Sequence, residues 1–512
     1  MRRLPAVAWA VAGTLLLAHL LTLTRYGIFR DELYYVANGR HLAWGYVDHP
    51  PLVALIAWAT EHTIGTSVAA LRVPMLLALA GVLAVIAALV RHMGGRGPAT
   101  VVAWIAFALS PYYLFGFHYL SMNAPEVLWW PLAALLLARA ARWFDEPDRD
   151  DAPAGAMPWL LLGLVMGLAT LTKLSGLVWG VALAAALAAT PARRVVATRW
   201  PWVAVAVALA LFAPHVAWQV HHGVPTAEFV SHAQAHKITA FAPHAFLAEQ
   251  LKLLGPVGAV VVVTGLVASV SGRVPGGRAW AVMFLVPLVV FLVQRAKPYY
   301  LTPAYPVLLA AGAVLVERWA PWRTVAGRIV SIALIGGGAL LVPLGLPVLP
   351  VPTLQAYLAT LGIGIASGER HEQGALPQHF ADMFGWDTLA DDVARVVGTL
   401  TPDEQARTRI YAQNYGEAGA LEYFGGPRGL PPVISGHNAY WYWGPGPETP
   451  DGIVIIVGGR EEDHRRAFAD VREAGRTTCA LCMPYEQDLP IFVARGLRQP
   501  LDAIWPAVRH FD

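Results

Sequence analysis

Long apolar runs alternate with short polar breaks over the first two-thirds of the chain. Runs long enough for a hydrocarbon core of roughly 30 Å lie near 6–24, 68–90, 98–116, 124–143, 158–171, 175–190, 201–218, 253–270, 279–294, 303–316 and 328–349. The pattern predicts eleven membrane-spanning helices. The stretch 158–190 holds two of them, divided at Thr172-Lys173-Leu174-Ser175-Gly176. The first run follows Met1-Arg2-Arg3 and reads as an uncleaved first span. Residues 25–67 are patterned differently. Positions 31–42 have helical spacing, with Leu33, Val36 and Ala37 on one side, and Pro50-Pro51 suits the first turn of a second helix. Two short helices lying along the membrane surface are expected there. Beyond residue 352 the long apolar runs stop. Strand-like segments at 408–412, 432–434, 452–457 and 490–494 alternate with helical patterns at 386–400 and 463–474. This predicts a small soluble α/β domain over 353–512, after a transmembrane domain over 1–352 that contains the 25–67 loop.

Composition supports the membrane reading. Of 512 residues, 56% are hydrophobic and 14% charged, against about 25% charged in soluble domains. The net charge of +3 is too small and too scattered to recognise nucleic acid. Two cysteines exclude a secreted-type disulfide framework. Their Cys479-Ala480-Leu481-Cys482 spacing cannot complete a zinc site, which leaves a local disulfide or two buried thiols. Lys/Arg bias sets the orientation. With the N-terminus inside, Arg91 and Arg96, Arg142 and Arg149, Arg193, Arg194 and Arg199, Arg273 and Arg278, and Arg318, Arg323 and Arg328 fall in cytoplasmic loops. An odd number of spans then puts both the 25–67 loop and the tail outside.

Ionisable residues gather at that outer face, where charge beside a span is costly unless it is used or paired. Asp31 and Glu32 open the first short helix, and either could be a general base toward an acceptor hydroxyl or a first-turn acid favouring the helix dipole. Asp48-His49-Pro50-Pro51 could hold a phosphate or a divalent metal or could simply cap a helix. Glu126 enters the fourth span behind Ser121-Met122-Asn123-Ala124-Pro125. Lys173, Arg295 and Lys297 lie on the side the positive-inside bias disfavours, where an anionic lipid phosphate or simple snorkelling would account for them. His232 and His236 are four apart in a loop that also carries His221, His222 and His244, and a third metal ligand at defined spacing is lacking.

Taken in order, these segments resemble a known family. The Asp-Glu loop, the Asp-His-Pro-Pro-Leu turn, Ser-Met-Asn-x-x-Glu, the Thr-Lys break and Lys297-Pro298-Tyr299-Tyr300-Leu301-Thr302-Pro303-Ala304-Tyr305-Pro306 are similar to bacterial glycosyltransferase family 39. That family is related to protein O-mannosyltransferases and lipid A aminoarabinose transferase, within the C-type superfamily. The tail carries further matching segments: Asn414-Tyr415-Gly416-Glu417-Ala418-Gly419-Ala420, Ile434-Ser435-Gly436-His437-Asn438 and Tyr440-Trp441-Tyr442-Trp443.

The resemblance implies a polytopic C-type fold, a polyprenyl-phosphate sugar donor, a lipid, glycan or protein acceptor, and transfer at the extracytoplasmic face of the cell membrane. Carried over by position, Asp31 is the base, with Glu32 beside it and Glu126 as a second acid. Asp48, His49, Lys173, Lys297, Tyr299 and Tyr300 fall to the donor; a divalent metal is compatible with this set. His49 stands where the aminoarabinose transferase has lysine. These donor residues are expected to line one outer cavity with Asp31 and Glu126. His437, Trp441 and Trp443 are candidate acceptor contacts, since aromatic faces beside amides suit a sugar, although the aromatic run could equally be a docking plug. A transporter of lipid-linked sugars would need internal repeats and mid-bilayer polar groups, and a binding protein would not need the acids.

Overall fold

The computed structural model describes residues 4–141, 155–237, 239, 241–362, 372, 374–447 and 452–512. Each of the eleven apolar runs carries a helix. Among the described residues five helical segments are long and apolar enough to cross a membrane alone: Val68–His92, Trp200–His221, Pro243–Val270, Pro298–Arg323 and Val325–Gly345. Ala6–Thr22, Gly97–Ala108, Ala156–Thr172 and Gly277–Val293 are shorter apolar helices, and Ser175–Ala188 is followed at a 108° bend by Pro191–Ala197. The run 98–116 is not one helix. It breaks between Gly97–Ala108 and Pro111–Gly116, with Ser110 extended at φ −87°, ψ 116°, because a residue before proline is driven out of the helical region. The fourth run forms Asn123–Ala140. Arg142 and Arg149 of the orientation argument lie outside the described residues.

The chain divides into two compact units. The first comprises Met1–Leu23, Arg72–Trp218 and Ala240–Leu349, and the second Thr24–Leu71, Gln219–Thr239 and Pro350–Asp512. In the first, the helices Pro243–Val270 and Tyr305–Trp319 approach backbone to backbone. A Cβ at Gly265 would lie 2.0 Å from the Leu308 carbonyl oxygen, and one at Gly312 1.9 Å from that of Val261. Small residues at such crossings let the backbones close, which is how helices associate where lipid removes the hydrophobic drive.

In the second unit, the loop expected to belong to the membrane domain packs instead with the tail. Its two helices form as the pattern predicts, at Arg30–Arg40 and Leu52–Thr63. The first lies against the helix Tyr415–Gly425 of the tail, and its surroundings explain the glycines of Asn414–Ala420. A Cβ at Gly416 would meet Arg30 Cγ at 2.6 Å, and one at Gly419 would sit 3.0 Å from the Leu33 backbone. The Arg30 N–H also donates to the Asp382 carbonyl at 2.9 Å.

The tail holds a five-stranded sheet built from β1 (Thr408–Tyr411), β2 (Val433–Ile434), β3 (Ile453–Val457), β4 (Phe468–Arg476) and β5 (Pro490–Leu497), in the order β2-β1-β3-β5-β4. β1 is parallel to β2 and β3; β5 is antiparallel to β3 and β4. The helix Trp386–Val397 matches its expectation. The helix expected at 463–474 does not form as such. Glu461–Ala467 is helical, and the chain then becomes β4. Phe468 and Val471 fit a helical period, but their burial against Val454, Ile456, Phe492 and Ala494 is reached by pairing with β5, so tertiary packing overrides the local pattern. Cys479 and Cys482 form a local disulfide, the first of the two states their spacing allows.

Candidate functional site

Two clusters collect the candidate residues, one in each unit. In the first unit, Lys173 ends the helix Ala156–Thr172 with an extended backbone (φ −159°, ψ 141°), and the next helix starts at Ser175. The break presents the Lys173 side chain to the first turn of Asn123–Ala140. Its Nζ donates to Asn123 Oδ1 at 3.0 Å and to Glu126 Oε2 at 3.3 Å. The ammonium lies 4.3 Å from the ring centre of Tyr300 and 5.0 Å from that of Tyr299, and aromatic faces attract a desolvated cation by about 0.5–2 kcal/mol. Ser175 Oγ donates to the other Glu126 oxygen. Trp129 Nε1 donates to Thr172 Oγ1 at 3.0 Å, fixing the break itself. Glu126 is 1% exposed and Lys173 8%, so this is a buried, fully partnered ion pair with an aromatic wall. Four expected residues, Lys173, Glu126, Tyr299 and Tyr300, are brought together here; Asn123 and Ser175 complete the set. Lys297 precedes the short helical turn Pro298–Ala304 that carries the two tyrosines and is half-buried.

The second cluster is built on Arg30–Arg40. Glu32 is wholly buried, and its Oε2 accepts the Phe29 N–H at 2.8 Å. It satisfies one of the orphan donors at the helix start. Asp31, one step round, keeps 31% of its side chain exposed. Its Oδ1 accepts a hydrogen bond from Tyr415 Oη at 3.0 Å and lies 3.8 Å from Arg30 Nε. Tyr415 stacks on Tyr34 at 4.5 Å, and Tyr34 Oη in turn donates to Asp48 Oδ1 at 3.0 Å while accepting the Ala439 N–H at 3.2 Å. Two stacked phenols thus each hold one carboxylate. Burial opposes the charge on Arg30, but Asp382, Tyr415, Tyr485 and Asp31 outweigh it and hold the guanidinium well above its ordinary range. Burial, then the Asp48 charge, push the Tyr34 phenol well up, so it remains a donor.

Behind Tyr415 lies an acid pair. Asn414 caps the Tyr415–Gly425 helix through Oδ1, and its Nδ2 donates to Glu417 Oε1 at 2.8 Å and to Glu486 Oε1 at 3.0 Å. Burial raises both carboxyl pKa values, Glu486 to about 7; the Glu486 charge pushes Glu417 up further, while Arg30 and the hydrogen bonds from Asn414 and Glu417 work against the rise at Glu486.

The remaining candidates are engaged in holding the fold. His49 is 1% exposed; its Nε2 faces Asn38 Nδ2 at 2.9 Å and its Nδ1 the Pro50 carbonyl at 2.8 Å, a pattern that fits the Nδ1–H tautomer. His437 Nδ1 accepts the Tyr415 N–H at 3.1 Å, and its Nε2 lies 2.9 Å from Asp512 Oδ1. Trp441 and Trp505 exchange indole-to-carbonyl hydrogen bonds at 3.1 and 2.9 Å, and Trp443 stacks on His41 at 4.1 Å.

Among the described residues, one group of three could supply metal ligands: His437, His510 and Asp512, whose ligand atoms all lie within 4.8 Å of one another. The group fits a metal poorly. His437 Nδ1 is taken by a backbone N–H, and both His510 ring nitrogens lie 3.0 Å from carbonyl oxygens, of Val508 and Gln413.

Residues 48–218 match the family described as dolichyl-phosphate-mannose-protein mannosyltransferase. ArnT from Cupriavidus metallidurans, in a crystal structure bound to undecaprenyl phosphate, superposes on this chain with a TM-score of 0.61 at 16% identity, over 96% of this chain and 98% of that one. The chain has the C-type glycosyltransferase fold. The apo form of the same ArnT gives a TM-score of 0.62 at 14% identity, over 95% and 97% of the two chains. The apo oligosaccharyltransferase of Archaeoglobus fulgidus gives a TM-score of 0.51 at 13% identity, over 83% of this chain and 64% of that one. No curated protein sequence matches the chain. With five described helical segments long and apolar enough to cross a membrane, the chain is a multi-pass membrane protein, and its likeness to the ArnT structure extends over the whole fold.

Proposed function

We propose that the protein transfers a sugar from a polyprenyl-phosphate donor to an acceptor hydroxyl at the extracytoplasmic face of the cell membrane, in one inverting displacement. The observation that carries this reading is the end-to-end likeness to a C-type structure that holds undecaprenyl phosphate. The local chemistry agrees with it. A sugar on a lipid phosphate already has a good leaving group, so the protein's tasks are to remove the acceptor proton and to stabilise the departing phosphate.

Asp31 is the group for the first task. It is an accessible carboxylate on a rigid helix, whereas its neighbour Glu32 is committed to the helix start. The acceptor proton passes to Asp31 as the acceptor oxygen forms its bond to the anomeric carbon, and the anomeric carbon–oxygen bond to the lipid phosphate breaks, leaving the lipid monophosphate. Lys173 is the group for the second task, a cation preorganised by Asn123, Glu126, Tyr299 and Tyr300, where electrostatic stabilisation is strong because water is excluded. Lys297 is assigned to the same phosphate from its place in the sequence. Asp48, held by Tyr34, is assigned to donor hydroxyls.

Mass spectrometry of envelope glycans and lipids tests the reading. A strain lacking the protein is expected to lose one sugar from an envelope molecule and to accumulate a polyprenyl-phosphate sugar. Unchanged glycans and lipids would contradict it. Topology mapping is expected to place the tail outside; a cytoplasmic tail would contradict the assigned face.

A further inference from the structure

We infer that Tyr415, a residue of the C-terminal segment, is a positioning residue for Asp31. The inference rests on the reading of Asp31 as the base. A hydrogen bond joins these two side chains, and much of the local structure serves to place it. The phenol reaches Asp31 Oδ1 at 3.0 Å across 384 residues of sequence. Its backbone N–H is fixed on His437 Nδ1 at 3.1 Å, and the helix it opens is capped by Asn414. Its ring is held between the Tyr34 ring at 4.5 Å and the Arg30 guanidinium at 5.4 Å. A phenol with backbone, ring and hydroxyl all fixed does one thing to a carboxylate: it locks its rotamer and commits one oxygen, while the 31% of the side chain that stays exposed is presented to an incoming hydroxyl. Tyr34 does the same for Asp48, so the pairing is a repeated device.

The charged and titratable groups facing this array are Arg30, Asp382 and Tyr485, with His437 packed on the Tyr415 ring at 5.1 Å and the Glu417–Glu486 pair held by Asn414 at the start of the same helix. Arg30 Nη1 is 3.8 Å from Asp382 Oδ1 and donates to Tyr485 Oη at 2.6 Å. Arg30 therefore divides its charge among acids, and the phenol is the neutral donor that orients the base without raising the local charge. Donation to the carboxylate favours its ionised form, so the bond sets both the aim of Asp31 and the pH at which it takes up a proton.

The test uses the purified full-length protein added to membrane vesicles from a strain lacking it, which supply donor and acceptor, with the glycosylated product followed by mass. Tyr415→Phe keeps the ring stack and removes only the hydroxyl. Turnover is expected to fall about ten- to a hundredfold, the range for a hydrogen bond to a charged group, and the acidic limb of the pH–rate profile to move to higher pH. 3-Fluorotyrosine placed at 415 keeps the hydroxyl and makes it a stronger donor, so the limb is expected to move to lower pH with turnover retained. Limbs that stay where the unmodified protein has them, in both variants, would overturn the inference, including the case where Tyr415→Phe is slow merely because the fold is loosened. The two readings fail separately. If Asp31→Asn keeps full turnover, the base assignment fails; if Asp31→Asn is dead and the Tyr415 variants behave as the unmodified protein, only the positioning role fails.

Discussion

Lys173 Nζ lies 3.3 Å from Glu126 Oε2, and both side chains are almost wholly buried. A buried pair contributes little net stability, but breaking it by removing one partner leaves an uncompensated charge at about 3–5 kcal/mol. Lys173→Met is therefore expected to lower the melting temperature sharply and to abolish binding of undecaprenyl phosphate. Glu126→Gln is expected to be milder, because Lys173 keeps Asn123 and the Tyr299 and Tyr300 faces. The double variant is expected to recover most of the stability without recovering phosphate binding. Recovery of both would show that Lys173 is a structural cation only.

The Glu417–Glu486 pair makes stability fall as pH rises. Burial holds Glu486 at about 7, against an ordinary 4.5, and holds Glu417 above the carboxylate range as well. A raised folded-state pKa means the folded protein binds more protons than the unfolded chain in that interval. The contribution is complete below about pH 4.5 and is lost as pH rises through about 7. Melting followed from pH 4.5 to 8 is expected to show this decline, and Glu417→Gln, which removes one charge of the pair, to flatten it. A decline of equal slope in the variant would contradict the assignment.

The aromatic run of the tail is expected to act as a plug. Trp441 is tied to Trp505 by reciprocal hydrogen bonds and Trp443 is stacked on His41. Both are half-buried, so alanine at either is expected to cost about 2 kcal/mol, below the 3–5 kcal/mol of a fully buried aromatic. Denaturant unfolding of the purified variants checks this. Full stability with weakened acceptor binding would favour a sugar-recognition role instead.

Much of this architecture was legible in the order of apolar runs and of the polar motifs between them. The Thr172-Lys173 break, the Glu126 entry and the Tyr299-Tyr300 segment are far apart in sequence, yet each was marked by a polar residue where a span should be apolar, and the fold gathers them around one ammonium. Tyr415 carried no such mark. Its segment could be recognised as a motif, but a phenol's partner 384 residues away leaves no local signal, and a tyrosine in a helix reads as core. The same holds for Glu417 and Glu486, which are bridged by Asn414 from segments far apart in sequence. His49 was marked for the opposite reason. An Asp-His turn resembles a ligand set, and here both ring nitrogens are spent on Asn38 and Pro50. The strand Phe468–Arg476 was obscured by apolar spacing that satisfies a helix equally well.

The most direct measurement is turnover of Asp31→Asn beside Glu32→Gln, with melting temperature and undecaprenyl phosphate binding recorded for each. Asp31→Asn keeps the shape and removes the base, whose loss is worth about 10²–10⁴-fold. It is expected to be folded, to bind the lipid phosphate and to be inactive. Glu32→Gln is expected to lose stability, because Glu32 holds the Phe29 N–H, and to keep measurable turnover. An active Asp31→Asn beside a stable, inactive Glu32→Gln would contradict the account and exchange the two roles.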